Sequence, residues 1–111
     1  MVYRSLSWSK TEKTIARKAY LAAYERECRD IAERVRAMAA GVSGPEGLWK
    51  VHDYLTEQRE DIDAKYDYRY SVLITVFAGL LNEGWVTEED LAGLSDEKLD
   101  MIRTFASCYN E

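Results

Sequence analysis

The chain has 111 residues, 20 of them acidic and 15 basic, and its formal net charge at pH 7 is −5. This length predicts one domain, and an apolar content of 47% predicts a packed core and excludes a disordered chain. No apolar run reaches the ~18 residues that a membrane-spanning helix needs, and the N-terminal residues lack the apolar segment of a secretory signal.

The acidic balance disfavours nucleic acid as a partner, because phosphate contacts require basic side chains. A local basic group does occur in the first part of the chain, at Lys10, Lys13, Arg17 and Lys18. Two cysteines are too few for a disulfide scaffold or a four-cysteine zinc site. We therefore expect a cytoplasmic protein with free thiols that does not insert into a membrane.

Long stretches without proline predict an all-α fold, since the one proline, Pro45, lies among clustered glycines. The first helix is predicted to begin at Ser9, which forms a capping box with Glu12, and to end at Gly41. Its apolar side chains recur in steps of three and four, so they share one helical stripe. The stripe comprises Ile15, Ala16, Ala19, Tyr20, Ala23, Tyr24, Cys28, Ile31, Val35 and Met38.

The second helix is predicted to start at Ser43–Glu46, where Ser43 caps, Pro45 occupies the first turn and Glu46 closes a capping box. One side of this helix carries four apolar residues, Leu48, Val51, Leu55 and Ile62.

Three shorter helices are predicted to follow. The first spans the apolar residues 70–81 and stops at Gly84, and the second is capped by Thr87 with acidic residues in its first turn. The last is capped by Ser95 and ends near Ser107.

The predicted first helix is too long for a compact monomer. About 30 residues give a helix of ~45 Å, whereas a compact chain of this size has a radius of gyration of ~13 Å. We therefore expect residues 1–111 to form a single domain, with a stalk at about 9–65 and a head at about 66–108. Because closed two-fold dimers are the commonest oligomers, we expect dimerisation through the stalk helices.

The second predicted helix concentrates residue types that are common at binding sites. Helical spacing places Trp49, His52 and Asp53 on one face, with Arg59 about two turns further along. Trp and Arg are enriched at interface hot spots, which favours a protein-binding patch. The alternative is that Trp49 fills the core, and the pattern alone favours it because large aromatic side chains are usually buried.

Catalytic and metal-binding functions have weaker support. His52 is the only histidine, no serine or cysteine lies in a nucleophile motif, and one histidine cannot supply a di-iron site. A run of carboxylates could hold a hard cation, but interleaved basic residues favour salt bridges. The run comprises Glu57, Glu60, Asp61, Asp63 and Asp67. The tyrosines Tyr66, Tyr68 and Tyr70 are compatible with packing or with a contact surface.

Residues 48–91 resemble the fluorescence recovery proteins of cyanobacteria, and the resemblance extends without gaps from Trp8 to about Phe105. Its most distinctive segments are Leu48-Trp49, His52-Asp53, Arg59, Ile62-Asp63, Lys65-Tyr66-Asp67 and Ser71-Val72. The N-terminal part contributes Trp8-Ser9, Glu12 and Ala23-Tyr24-Glu25-Arg26-Glu27.

The resemblance implies an all-helical protein with a long stalk and a small head, dimerised through the stalk. The resemblance implies a protein that is not an enzyme, and we expect it to use no cofactor or metal. Members of this family bind the photoactivated red form of the orange carotenoid protein through its C-terminal domain, speed its return to the orange form and promote its detachment from the phycobilisome. Their binding patch corresponds here to Trp49, His52, Asp53 and Arg59.

Two positions in the head depart from some relatives, which carry an aromatic residue at Thr75 and a basic one at Met101. An alternative is therefore a fluorescence-recovery-like dimeric adaptor with a different protein partner in an organism without phycobilisomes. Weaker hypotheses are an enzyme with His52 as base and a helix-turn-helix DNA-binding protein, the latter based on the short helices predicted after Gly84.

Overall fold

A computed structural model describes residues 6–109, and this part of the chain contains four α-helices. They are α1 (Lys10–Ala40), α2 (Pro45–Lys65), α3 (Leu73–Glu83) and α4 (Asp96–Cys108). The fold is all-α, as predicted. Within residues 6–109, no helix is both long and apolar enough to cross a membrane.

Helix α1 has 31 residues, and its ends are the predicted ones. The Ser9 side chain accepts a hydrogen bond from the Glu12 N–H, while Glu12 accepts one from the Ser9 N–H, each at 3.1 Å. Gly41 ends the helix. Residues 41–44 reverse the chain, so that α2 returns antiparallel along α1 in a helical hairpin.

Helix α2 starts without the predicted capping box. Its N-cap is Gly44, no side chain caps it, and Pro45 occupies the first turn. The prediction that Ser43 caps this helix is therefore wrong. Proline has no N–H to be satisfied and is pre-set for a first helical turn, so the helix can begin without a side-chain cap.

A single buried cluster joins the N-terminal half of α1 to α3, α4 and the turn between them. Its largest fully buried side chains are Leu73, Phe77, Leu80, Val86, Leu91 and Ile102. Helix α1 contributes the small residues Ala16, Ala19 and Ala23, which allow its backbone to approach closely. Part of the predicted apolar stripe of α1 thus packs against the C-terminal helices.

Helix α3 begins three residues later than predicted. The segment from Tyr66 to Tyr70 instead runs along α1, where the Tyr68 ring meets Tyr20 at 4.8 Å and the Tyr70 ring meets Trp8 at 5.6 Å between centroids. These edge-to-face and tilted aromatic contacts favour a non-helical segment at residues 66–70 over a further turn of α3. The helix ends at Gly84, whose φ of 84° is the left-handed cap that glycine favours.

The helix predicted after Thr87 does not form. Thr87 Oγ1 accepts a hydrogen bond from the Asp90 N–H at 3.2 Å, as the predicted cap would, and Asp90 accepts one from the Thr87 N–H at 2.9 Å. Residues 88–91 nevertheless form only a turn. Gly93 follows with a φ of 103°, which ends any helix there, and a Cβ on it would lie 2.4 Å from Ile15 Cδ1. Among the described residues after Gly84 there is one helix, α4, so the helix-turn-helix hypothesis loses its basis.

The described chain measures 53 × 28 × 22 Å, and its radius of gyration is 17.0 Å. This value exceeds the ~13 Å of a compact chain of the same length. The excess comes from the hairpin of α1 and α2, whose far end projects beyond the cluster around α3 and α4. The elongated shape that the length of α1 predicts is confirmed.

Candidate functional site

The predicted patch lies on the outward side of α2, where its four residues are exposed. The Trp49 side chain retains 60% of its accessible surface, and the interpretation that it fills the core is wrong. The Arg59 side chain is 78% exposed, and His52 and Asp53 are similarly open to solvent. The chain therefore leaves a large aromatic residue and three polar ones on an open helix face.

Short contacts within α2 orient these side chains. The Trp49 and His52 rings meet edge to face, with centroids 6.3 Å apart and planes at 83°. His52 Nδ1 lies 3.5 Å from Asp53 Oδ1, and Arg59 Nε donates to Asp63 at 3.1 Å. The Arg59 guanidinium is thus held along the helix while its remaining donors face solvent.

Two leucines of the predicted apolar stripe of α2 are also exposed. Leu48 retains 52% of its surface and Leu55 42%. Only Ile62 of that stripe is buried, with Val51 partly covered. The spacing of four, three and four residues places Leu48, His52, Leu55 and Arg59 on one ridge, and this spacing is readable from the sequence.

A shallow groove of about 510 Å³ follows this ridge. Its lining residues are His52, Leu55, Thr56, Arg59 and Glu60. His52 and Arg59 therefore share one concave surface, while Trp49 and Asp53 lie on the adjoining face of the helix. An apolar floor between an imidazole and a guanidinium suits a protein segment that carries apolar and acidic side chains.

The base of the hairpin is fixed by a partly buried polar network. Lys65 Nζ lies 2.6 Å from Glu27 of α1 and 2.9 Å from Glu83 of α3, and Tyr66 Oη donates to Glu27 at 2.9 Å. Burial alone would lower the pKa of Lys65, but its two carboxylate partners raise it. These bonds set the direction in which α2, and hence the patch, leaves the other helices.

Within residues 6–109, no group of three or more His, Cys, Asp or Glu side chains is placed so that it could hold a metal ion. Arg59 pairs with Asp63 and Arg69 with Asp67, as the salt-bridge interpretation predicts. Cys28 and Cys108 are free thiols.

Comparison with known proteins identifies the family. Residues 8–106 match the family described as photoprotection regulator fluorescence recovery protein. This chain belongs to the fluorescence recovery protein family. Its sequence is 41% identical over 99 residues to the fluorescence recovery protein of a Synechocystis strain. The aligned region covers 89% of this chain and 91% of the relative.

Solved structures show the same fold. The fluorescence recovery protein of Fremyella diplosiphon is 42% identical and superposes with a TM-score of 0.86, covering 91% of this chain and 99% of that one. The Synechocystis protein gives the same TM-score at 40% identity, with the same coverage. The family resemblance that the sequence carries is confirmed, and the family is one of photoprotection regulators.

Thr75 and Met101, the two head positions singled out in the sequence, lie together. They line one cavity of about 330 Å³, between the start of α3 and the middle of α4. Its remaining apolar lining consists of Leu6, Tyr70, Val72, Ile74 and Phe105. In this chain the cavity thus presents a hydroxyl and a thioether at these two positions.

Proposed function

We propose that this chain binds the photoactivated red form of the orange carotenoid protein, through that protein's C-terminal domain. Binding accelerates the return to the orange form and detachment from the phycobilisome, and so ends photoprotective quenching. Family membership supports the regulatory role. The observation that carries the site assignment is the exposed Trp49, set on the same open helix as the oriented Arg59.

The proposed mechanism is binding and involves no covalent chemistry, cofactor or metal. A binding protein speeds a conformational return only if it stabilises the transition state, or an intermediate on the way, more than the starting state. Trp49 supplies a large apolar anchor, and Arg59 supplies donors ~15 Å further along the helix. Two such anchors hold the C-terminal domain of the orange carotenoid protein in an orientation in which the other domain of that protein can dock on it again.

His52 acts in this proposal as a contact residue and not as a base. Its side chain is 68% exposed on an open face, where water is not excluded from the imidazole. The edge-to-face contact with Trp49 gives it a positioning role, since it limits the orientations of the indole.

The working unit in this proposal is a two-fold dimer formed through the stalk, residues 9–65, with the head at 66–108. Two exposed large apolar side chains that do not line the groove beside Arg59 support it, Tyr24 of α1 and Leu48 of α2. Light scattering at micromolar concentration should give twice the monomer mass of 12.8 kDa. A monomer mass at that concentration would contradict the dimer but not the binding patch.

The proposed location is the cytoplasm, at the thylakoid face where phycobilisomes attach. An adaptor with another protein partner is the second candidate. The cavity lined by Thr75 and Met101 favours it, because it lacks the aromatic and basic side chains that the resemblance implies at these positions in some relatives. The two candidates differ in one observable, namely whether light-activated orange carotenoid protein binds at all.

Immobilised protein should retain illuminated orange carotenoid protein and release it after dark return. Trp49→Ala should weaken retention at least tenfold, since a central Trp contributes 2 kcal/mol or more at such interfaces. Tyr109→Ala is the matched control, because Tyr109 is also an exposed aromatic residue (54%) but lies outside α2. Equal retention by both variants would refute the site, and no retention by the unmodified chain would favour the adaptor.

A further inference from the structure

The basic group near the start of α1 lies on the side of that helix that faces away from the buried cluster. Lys10, Lys13, Arg17 and Lys18 are all exposed. Within residues 6–109 none of the four takes part in a salt bridge. Eight residues of helix separate the first from the last, so four cations lie within ~12 Å along the axis. We call this surface the basic face.

The basic face has an apolar centre. A groove of about 590 Å³ runs between the cations, and its lining includes Thr14, Leu21 and Tyr70. Leu21 retains 50% of its surface although it is fully apolar. Helical spacing puts Lys10, Thr14, Arg17 and Leu21 on one ridge with Lys13 and Lys18 on either side, so the cations surround an apolar strip.

Tyrosine rings hold two of these cations in place. Lys13 Nζ lies 5.2 Å from the Tyr70 ring centroid, and Arg17 Cζ lies 5.3 Å from that of Tyr68. The two rings contact each other at 5.5 Å, and Tyr68 in turn meets Tyr20 of α1. Such cation–π contacts limit the freedom of Lys13 and Arg17 before anything binds, which lowers the cost of ordering them.

We propose that the basic face docks an acidic segment of a protein partner that presents one apolar side chain among its carboxylates. The carboxylates would pair with Lys10, Lys13 and Arg17, and the apolar side chain would cover Leu21. Lys18 contributes less, because it also borders a second groove beside Glu89 and Asp90. This proposal does not rest on the identity of the partner given above.

A peptide fits this surface better than a polyanion. The chain as a whole carries a net charge of −5, so DNA or an anionic membrane that extends beyond the ~12 Å face meets repulsion from the remaining surface. Repulsion acts only within about a Debye length, ~8 Å at physiological salt, so a short acidic segment confined to the face avoids most of it. The exposed apolar strip adds contact area that a phosphate backbone would leave unused.

The test uses a fluorescein-labelled 12-residue peptide with six glutamates around a central leucine, measured by anisotropy against the full chain. The variant Lys10→Gln/Lys13→Gln/Lys18→Gln removes three of the four positive charges of the face and leaves Arg17 against Tyr68. The matched control is Arg29→Gln/Arg34→Gln/Arg36→Gln, which removes three exposed cations from the same helix outside the basic face. Both variants change the net charge equally.

We expect the first variant to weaken peptide binding at least tenfold and the control to change it less than twofold. A peptide with alanine in place of the central leucine should bind at least threefold more weakly. Equal losses in both variants, or no measurable binding by the unmodified chain, would overturn the proposal. So would tighter binding of a 12-nucleotide single strand or of vesicles with 30% phosphatidylserine, each of which would assign the face to another class of ligand.

Discussion

Replacing Glu12 with glutamine should destabilise the fold strongly, because its carboxylate is nearly buried and fully paired. The Glu12 side chain is only 11% exposed and accepts hydrogen bonds from the Ser9 N–H at 3.1 Å and the Ser95 N–H at 2.8 Å. Lys98 Nζ, itself nearly buried, lies 3.1 Å away and also contacts the Ser7 carbonyl oxygen and the Trp8 ring. One carboxylate therefore joins the start of α1 to the start of α4.

The size of the effect follows from the pKa of this carboxyl. Burial would raise the pKa of Glu12, but the two backbone N–H donors and Lys98 lower it from 4.5 to about 2. At ~1.36 kcal/mol per pKa unit, the charged form stabilises the folded state by up to ~3 kcal/mol. Glu12→Gln also leaves Lys98 buried without its counter-charge, for which losses of 3–5 kcal/mol are typical.

Urea denaturation at pH 7 should show a loss of about 3 kcal/mol in the free energy of unfolding for Glu12→Gln, with the m-value unchanged. The double variant Glu12→Gln/Lys98→Met should recover at least half of that loss, because it removes the unpaired charge as well. The depressed pKa means that the advantage of the unmodified chain is full above pH 4.5 and disappears as the pH falls toward 2. A loss below ~1 kcal/mol, or one independent of pH in this window, would refute the reasoning.

Three further changes test other parts of the account. Gly93→Ala should lower the free energy of unfolding by ~1–3 kcal/mol, because a φ of 103° strains any other residue and the new Cβ would overlap Ile15. An unchanged urea midpoint would show that the turn accommodates the change. Lys65→Met should lower the free energy of unfolding by ~2 kcal/mol, because Glu27 loses its cation. In the same assay, Lys65→Met/Glu27→Gln should restore most of that lost stability. Leu48→Asp should shift the mass measured by light scattering toward the monomer at unchanged helicity by circular dichroism, and a persistent dimer would place the interface elsewhere.

Local signals predicted most of the helical fold. The capping box at Ser9 and the left-handed glycine at Gly84 fix helix ends through hydrogen bonds within a few residues, and both ends lie where the sequence predicts. The same kind of local signal predicted a helix after Thr87 that does not form, although the Thr87 side chain makes its capping hydrogen bond. There Asp90 also pairs with Arg26 of α1 at 2.6 Å, a long-range contact that no local pattern contains.

Exposure was the part of the site that the pattern could not predict. An apolar residue at helical spacing is compatible with a core or with an open face, and Leu48 and Leu55 were assigned to a stripe that the fold leaves uncovered. Only the family resemblance favoured a binding patch at Trp49, whereas the pattern alone favoured the core, and the structure leaves Trp49 exposed. The start of α3 was missed for a related reason, because the contact between Tyr68 and Tyr20 depends on tertiary packing.

The proposed function can be measured as the rate at which illuminated orange carotenoid protein recovers in the dark, followed by absorbance. We expect the unmodified chain to accelerate the return of the orange form, and Arg59→Leu to abolish the acceleration while the dimer mass persists. Arg34→Leu is the control, since Arg34 is likewise exposed and paired with a carboxylate four residues away, Asp30, but lies on α1. Full acceleration by Arg59→Leu would contradict the site, and no acceleration by the unmodified chain would contradict the proposed function itself.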